Sequence, residues 1–522
     1  MKNLFQLFKI KNFNKKTFGE KIGNSNKLIL CEFLGNKSNQ IAFSYLINAL
    51  KKKENCTCYS FLDISNINFL DKLKLFIHKI LGYNLGNFFI YKSFNTKKFL
   101  FVKKNKMTEE KTKIFLKDFT GFNSKGDLIN FKIEKILIGD LIYDSFLRKT
   151  GFPTLEINDD KLKKFFIDTL NIFYYWLDFF EKNQVTGVVV SDTSYTSTMI
   201  ARISAFKKIP TYQCNWENVH RISEDNLFCY GKFIFYKEIF NKFSKDQKKI
   251  ALDKSKDRIK IRLGGKLRAD DLFYTDHSSF HSEFEKNKIL SKSDKKKILI
   301  ASHFFIDAPH GYGPDSIIFP DFYEWLNYLN DLSKKTDFEW YIKCHPHSKP
   351  KEDEIFKNFI KDKSNLIEIP KYSSHLQIIK EGINCVLTVY GTIAWEYAYY
   401  KVPVITASRN NPHIKYDFCA HAKNIDEYEQ MILNFDKLKL NFSEENICEF
   451  YFMHNMYSRC NWLFDSYEKV FKQIKGFENL PKLKFYDYWI KNADQKKNEK
   501  IFSKLNKFLN SKNLFINNDT FF

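Results

Sequence analysis

The sequence predicts an α/β protein built as two tandem domains that face a shared crevice, and three observations predict it. Apolar, β-branched runs of strand length alternate with amphipathic helical patterns in both halves of the chain. Several of these runs end in polar or Gly-containing turns that lead straight into a helix. That is the signature of βαβ units, whose loops lie at the carboxyl end of the sheet, where such folds bind ligands. The 522 residues also suit two or three domains at roughly 150 residues each.

The first α/β domain spans 1–245. Its opening, MKNLFQLFKIKNFNKK, is interrupted by Lys in every apolar run. It reads as a short basic amphipathic helix able to touch an anionic membrane surface, and not as a signal peptide or a span. Lys27–Leu34 is an apolar strand ending in Gly35-Asn36-Lys37-Ser38-Asn39, followed by a helix with Ile41, Tyr45, Leu46 and Ala49 on one face and by a strand at Cys58–Leu62. This unit lacks the three spaced glycines of a dinucleotide fingerprint, so it does not support NAD binding. Gly139-Asp140 is read as the start of a loop near the crevice, and Asp160–Lys182 as a long helix whose aromatic stripe is core. The βαβ logic repeats with Val185–Val190, the polar Ser191-Asp192-Thr193-Ser194-Tyr195, a helix over Thr198–Phe206 and a strand at Thr211–Cys214.

Residues 246–296 lose periodicity and read as a Lys-, Asp- and Ser-rich connector carrying an ordinary basic turn, Gly264-Gly265-Lys266-Leu267-Arg268, without phosphate-loop spacing. The second α/β domain, 297–442, begins with the strand Lys297–Ser302 and a loop, His303 to Gly313, before a helix that starts near Asp321 and turns Trp325 and Leu329 inward. Two strand-to-loop transitions follow. Trp340–Lys343 is broken by Cys344-His345-Pro346-His347, and Asn384–Val389 runs into Tyr390-Gly391-Thr392, a helix, Pro403 and the strand Val404–Thr406. Between them lie a short strand, Asn365–Ile369, and Lys371-Tyr372-Ser373-Ser374-His375, read as a helix N-cap. A polar loop, Arg409-Asn410-Asn411-Pro412-His413, follows Thr406. Residues 443–522 read as one long helix to about Lys475 that crosses back to the first domain, then a Lys-rich helical tail.

Composition narrows the function classes. The formal net charge of +23 favours acidic or phosphorylated partners or an anionic membrane surface through long-range attraction. Of the 84 basic residues only 8 are Arg, a bias that reads as genome drift. Nucleic acid is not the expected partner, because there is no zinc-finger spacing, aromatic RNA-binding consensus or Arg-rich helix. The ten cysteines form no framework, so reduced thiols in a cytoplasmic protein are expected. No run reaches the ~18 apolar residues that a membrane span needs.

The chemistry points to a nucleotide-activated donor. Departure of a phosphorylated leaving group requires its negative charge to be met by fixed donors and helix N-termini. His345 ends a strand at the crevice, with Pro346 stiffening the turn. Gly391 allows close backbone approach, Thr392 adds a hydroxyl, and the helix beyond presents its N–H groups. Glu396, four residues after Thr392, is placed to accept from ribose hydroxyls. His303, Asp307 and His310 form a further cluster. Pro309 and a loop composition argue against a metal site there, and hydrogen bonds to donor phosphate or sugar are expected instead. Attack by an acceptor hydroxyl needs a general base. Asp192, after the VVV strand, is the leading carboxylate, with Asp307 and His310 as the fallback pair.

The ordered set IASHFFIDAPHGYG, FPDFYEWL, WYIKCHPHSKP and VYGTIAWEYAYYKVPVI resembles the bacterial capsule polysaccharide biosynthesis and surface-carbohydrate proteins, which are related to two-domain glycosyltransferases of the GT-B type. The resemblance covers about 297–430; the first domain matches by architecture only. It implies two Rossmann-like domains and donor binding by His345, Pro346, Gly391, Thr392 and Glu396, to which Lys343, His303, Ser373 and Ser374 are added as neighbours in the same half. The implied activity is a metal-independent, cofactor-free glycosyltransferase taking a CMP-linked acidic sugar or a UDP-sugar and acting on a glycan or lipid-linked glycan acceptor. Alternatives on the same architecture are a CDP-polyol phosphotransferase of the teichoic-acid type, a sugar-nucleotide 2-epimerase, and a non-enzymatic capsule-assembly scaffold.

Overall fold

A computed structural model describes residues 2–19, 25–65, 67–266, 278–346, 348–459, 462–464, 466–517 and 522. The expected basic turn at 264–268 therefore lies partly outside the described residues, as do His347 and most of 517–522.

The first sheet contains β1 (Leu28–Glu32), β2 (Thr57–Asp63), β3 (Thr96–Val102), β6 (Val185–Val190), β7 (Thr211–Cys214) and β8 (Val219–Ile222). A small hairpin, β4 (Lys132–Ile133) and β5 (Ile136–Leu137), stands apart. The second sheet contains β9 (Lys297–Ala301), β10 (Glu339–Lys343), β11 (Leu366–Ile369), β12 (Cys385–Thr388), β13 (Val404–Thr406) and β14 (Ala420–His421). Their orders are β3-β2-β1-β6-β7-β8 and β11-β10-β9-β12-β13-β14. All pairings are parallel except β7 with β8. In each sheet the first strand lies beside the fourth of its set, and a crevice opens at that reversal, outside the carboxyl ends.

Parallel strands covered on both faces need apolar side chains on both, and strand alternation supplies them. Ile29 and Cys31 pack into one core layer while Leu28 and Leu30 pack into the opposite one. In the second sheet Leu299 and Tyr341 go to one face, and Ile298, Ile300, Trp340 and Ile342 to the other. Each fully buried aliphatic side chain of this kind contributes about 1.5–3 kcal/mol. The helix Asp160–Lys182 has the expected bounds and buries its aromatic stripe. Asp321 caps the helix Phe322–Ser333 by accepting from the N–H groups of Tyr323 and Glu324, and Trp325 and Leu329 are fully buried.

Three expectations are corrected. Gly139-Asp140 does not open a crevice loop; it starts the helix Gly139–Thr150. A Cβ at Gly139 would stand 1.7 Å from Leu128 O, and Asp140 forms a buried ion pair with Arg202 at 2.7 Å. The 443–475 helix is broken: Glu444–Tyr451 runs into a π-helical stretch, Phe452–Tyr457, and a separate helix follows at Tyr467–Ile474. Beyond the break the chain does return to the first sheet, and the Lys-rich tail is structural. Trp489 and Leu505 are fully buried in one core with Ile29, Tyr45 and Leu46, because the tail helices turn their apolar stripes inward and their lysines out. Nor is 246–296 a plain connector, since Ala251, Ile259, Leu263, Phe280 and Leu290 belong to the core beneath the second sheet. The nine described cysteines are all buried, and no described helix is long and apolar enough to cross a membrane.

Candidate active site

The carboxyl ends of the two sheets enclose a cavity of about 700 Å³. The first sheet contributes Asp192, Ser194 and Tyr195 after β6, and Gln213 and Asn215 at the end of β7. From the second come Ser302 to Phe304 after β9, Lys343 to Pro346 after β10, and Thr388 with Tyr390 to Ile393 after β12. These strands run parallel and end at the same edge of their sheets, so the polar residues that follow them are delivered to the crevice.

His303 links the two halves of the second domain's reversal. Its Nε2 accepts from the backbone N–H groups of Val389 at 3.1 Å and Tyr390 at 3.2 Å, with Thr388 Oγ1 at 3.1 Å. Two N–H donors aimed at Nε2 leave the proton of the neutral ring on Nδ1. Phe322 stacks on the ring at 4.7 Å, and burial pushes the pKa down to about 3. His303 is therefore a neutral N–H donor on the cavity wall.

That arrangement also changes the reading of the Gly-Thr turn. The amides of 389 and 390 are held by His303, and the Gly391 N–H donates to Thr388 Oγ1 at 3.3 Å. These three are used within the protein and do not form the expected anion cradle. Gly391 is required for packing: a Cβ would sit 2.7 Å from Thr388 Oγ1 and 3.1 Å from Ile393. Thr392 is exposed on the cavity wall. Glu396, expected to face ribose hydroxyls, is instead gripped by Arg262, whose Nε and Nη2 donate to Oε1 at 2.8 and 2.6 Å. Both residues line the cavity, so the cation is what that pair can turn toward an anionic ligand.

Lys343 is buried, and its Nζ donates to Lys371 O at 2.7 Å; burial lowers its pKa to about 8. The His345 ring lies 4.3 Å from that of Phe304, tilted by 41°, with Pro346 beside it on the wall. Ser373 and Ser374 do not reach the cavity. Ser374 caps the helix His375–Lys380 and donates to His281 O at 2.6 Å, while Ser373 Oγ lies 3.4 Å from Glu285 Oε1. Their neighbour His375 takes the wall position, with Nδ1 2.8 Å from Tyr397 Oη.

The catalytic candidates separate. Asp192 is half-buried on the first-domain wall, and its Oδ1 accepts from the N–H groups of Thr193 at 2.6 Å and Ser194 at 2.9 Å, so it also shapes its own turn. Asp307 is exposed across the crevice and accepts from Tyr195 Oη at 3.1 Å. His310 is not on the wall. It is buried against Asp144, Nδ1 to Oδ1 2.6 Å, where it ties the second domain's loop to the helix Gly139–Thr150. His303, Asp307 and His310 thus point to three different partners, and among the described residues no group of three or more His, Cys, Asp or Glu side chains converges as metal ligands.

Several wall residues escape the sequence reading. Arg148, Arg262 and Arg459 all line the cavity, three of only eight arginines in the chain. Arg148 lies 4.3 Å over the Tyr195 ring. Where Lys is the common cation of the chain, an Arg supplies what Lys does not, a planar guanidinium able to donate as a fork. His413, in the polar loop after Thr406, is fully buried on the wall with neither ring nitrogen hydrogen-bonded. His454 reaches the wall from the π-helical stretch, a distortion that sequence periodicity does not reveal.

The chain matches no protein-family model and no curated protein sequence. Among solved structures it is similar to Thermosulfurimonas dismutans KpsC, a β-Kdo 2,4 transferase, at 10% identity over 53% of this chain and 85% of that one, TM-score 0.33. It is similar to the UDP-GlcNAc 2-epimerase of Neisseria meningitidis bound to UDP-GlcNAc at 13% identity over 81% and 97%, TM-score 0.23. The wall teichoic acid polymerase TagF aligns at 11% identity over 97% and 96%, TM-score 0.21. At these scores the likeness bears on neither substrate nor mechanism. The strand orders themselves make the chain a two-domain α/β protein of GT-B-like architecture, with Rossmann-like sheets on either side of one crevice.

Proposed function

We propose that the chain is a glycosyltransferase that moves a sugar from a nucleotide-activated donor, a CMP-linked acidic sugar or a UDP-sugar, to a glycan acceptor of a bacterial surface polysaccharide. The observation that carries this reading is one cavity set at the strand-order reversal of both sheets, with cations and neutral donors on the second-domain wall and a carboxylate opposite. Lys343, Arg262 and His345 would meet the charge of the departing nucleotide, and the His303 Nδ1–H would donate to a phosphate or sugar oxygen. Asp192 would take the proton of the attacking acceptor hydroxyl. The nucleotide-sugar is a substrate in this scheme, and no resident metal or cofactor is invoked.

Thermal-shift titration with CMP, CDP, UDP and GDP tests the donor half. One nucleotide should raise the wild-type midpoint at millimolar concentration, and the shift should shrink in His345→Ala. If none does, the transferase reading fails. Nucleotide release that requires a glycan acceptor supports transfer; turnover of the nucleotide-sugar with no acceptor supports 2-epimerisation in its place.

A further inference from the structure

The helix Phe69–Ile80, about three turns long, has no buried residue. Its sequence, FLDKLKLFIHKI, leaves Phe69 at 78%, Leu70 at 64%, Leu73 at 47%, Phe76 at 59% and Ile80 at 68% exposed, with Ile77 also exposed. At about 100° per residue these six side chains fall on one arc of about 120°. Lys74 borders that arc on one side, and Lys72 and Lys79 border it on the other. All three lysines are exposed, Lys74 in an exposed ion pair with Asp71 at 2.9 Å, while Leu75 and His78 on the opposite side are half-buried. His78 packs on Phe88, at 4.9 Å, in the helix Gly86–Ser93. The same helix carries Phe89, against which the N-terminal helix Lys2–Phe18 rests through Phe8 at 5.3 Å. Phe5 at 62% and Phe8 at 45% exposure add to the apolar surface, with Lys9 over the Phe5 ring.

A stripe of large apolar side chains fenced by lysines, on a chain of net charge +23, complements one occupant: the surface of a bilayer that contains anionic lipid. A second protein surface of matching hydrophobicity would not call for basic residues on both borders. The placement agrees, because the segment leaves β2 at the carboxyl end of the first sheet, the edge on which the cavity opens. We infer that the helix Phe69–Ile80, seconded by the N-terminal helix, is an interfacial membrane-docking element that seats the crevice mouth against an anionic bilayer. This inference is independent of the catalytic reading above. It adds to the contact expected at the N-terminal helix a second, more exposed element, the helix Phe69–Ile80.

The test is co-sedimentation of the full chain with sucrose-loaded vesicles of phosphatidylcholine alone or of phosphatidylcholine with about one third phosphatidylglycerol, whose negative surface potential attracts basic segments. Wild type should bind the anionic vesicles at least about tenfold more tightly and lose this preference in 0.5 M salt, where screening is within a few Å. The quadruple variant Phe69→Ser, Leu73→Ser, Phe76→Ser, Ile80→Ser should lose at least about tenfold in partitioning, because apolar insertion supplies much of the affinity. Its thermal midpoint should stay unchanged, since the side chains are exposed. The triple variant Lys72→Glu, Lys74→Glu, Lys79→Glu should lose the lipid preference by a separate route. Equal binding to both vesicle types, or unchanged binding of the quadruple variant, overturns the inference. So does a concentration-dependent dimer in sedimentation velocity that the quadruple variant abolishes, which would assign the face to a second copy. Nucleotide shifts measured on the same proteins keep failure here distinct from failure of the transferase reading.

Discussion

Glu396→Gln is the most informative single substitution, because two readings of Glu396 predict different outcomes. If it holds ribose, the variant weakens nucleotide binding and leaves stability alone. The structure instead clamps it to Arg262 through two hydrogen bonds of 2.8 and 2.6 Å, with the side chains 7% and 19% exposed. Breaking a fully buried pair by removing one partner costs about 3–5 kcal/mol. Partial exposure of Arg262 screens the charge left behind, so about 2–3 kcal/mol is the expected loss here. For a domain of this size that corresponds to a fall of roughly 4–12 °C in the unfolding midpoint. Arg262→Met should fall by a similar amount, and the double variant by clearly less than the sum, because no lone charge then remains. The assay is scanning fluorimetry or calorimetry on the four proteins of the cycle. A midpoint change under about 1 °C in Glu396→Gln, or strict additivity in the double variant, would refute the clamp.

Two further outcomes follow from the wall residues. Burial holds Lys343 at about 8, against an ordinary value near 10.4. Between those values the unfolded chain binds the proton and the folded chain does not, so this residue's contribution to stability rises with pH across that window. A bound nucleotide phosphate would favour the charged ammonium. Affinity should therefore fall above pH ~8, approaching tenfold per pH unit, and Lys343→Met should flatten that profile; a profile identical to wild type would remove Lys343 from the donor contact. Asp192→Asn keeps an Oδ1 acceptor for the turn N–H groups of Thr193 and Ser194 and removes only the charge. Nucleotide shifts and midpoint should persist while kcat falls about 10²- to 10⁴-fold; undiminished turnover would release Asp192 from the base role.

Both sheets were legible in the chain. Strand alternation is local, so Lys27–Leu34 or Lys297–Ser302 announces its pairing faces without any partner in view, and a polar residue after a short strand has nowhere to go but the carboxyl edge. That is why Asp192, Lys343, His345 and Gly391 all reach one cavity. What each polar group does there was not legible. His303 spends its Nε2 on amides 86 and 87 residues away, Glu396 meets an arginine 134 residues earlier, and His310 is drawn off the wall by Asp144, 166 residues before it. Such partners are chosen by the folded geometry, because a polar group closing inside a core bonds to whatever donor or acceptor the packing brings within about 3 Å. The same holds for the Lys-rich tail, whose apolar stripe is pulled into the first core, and for the helix Phe69–Ile80, whose apolar stripe no described element buries. Sequence alone determined where the strands run and which loops meet at the crevice; only the tertiary structure decided which polar groups remain for a ligand, because that depends on long-range neighbours that no local pattern encodes.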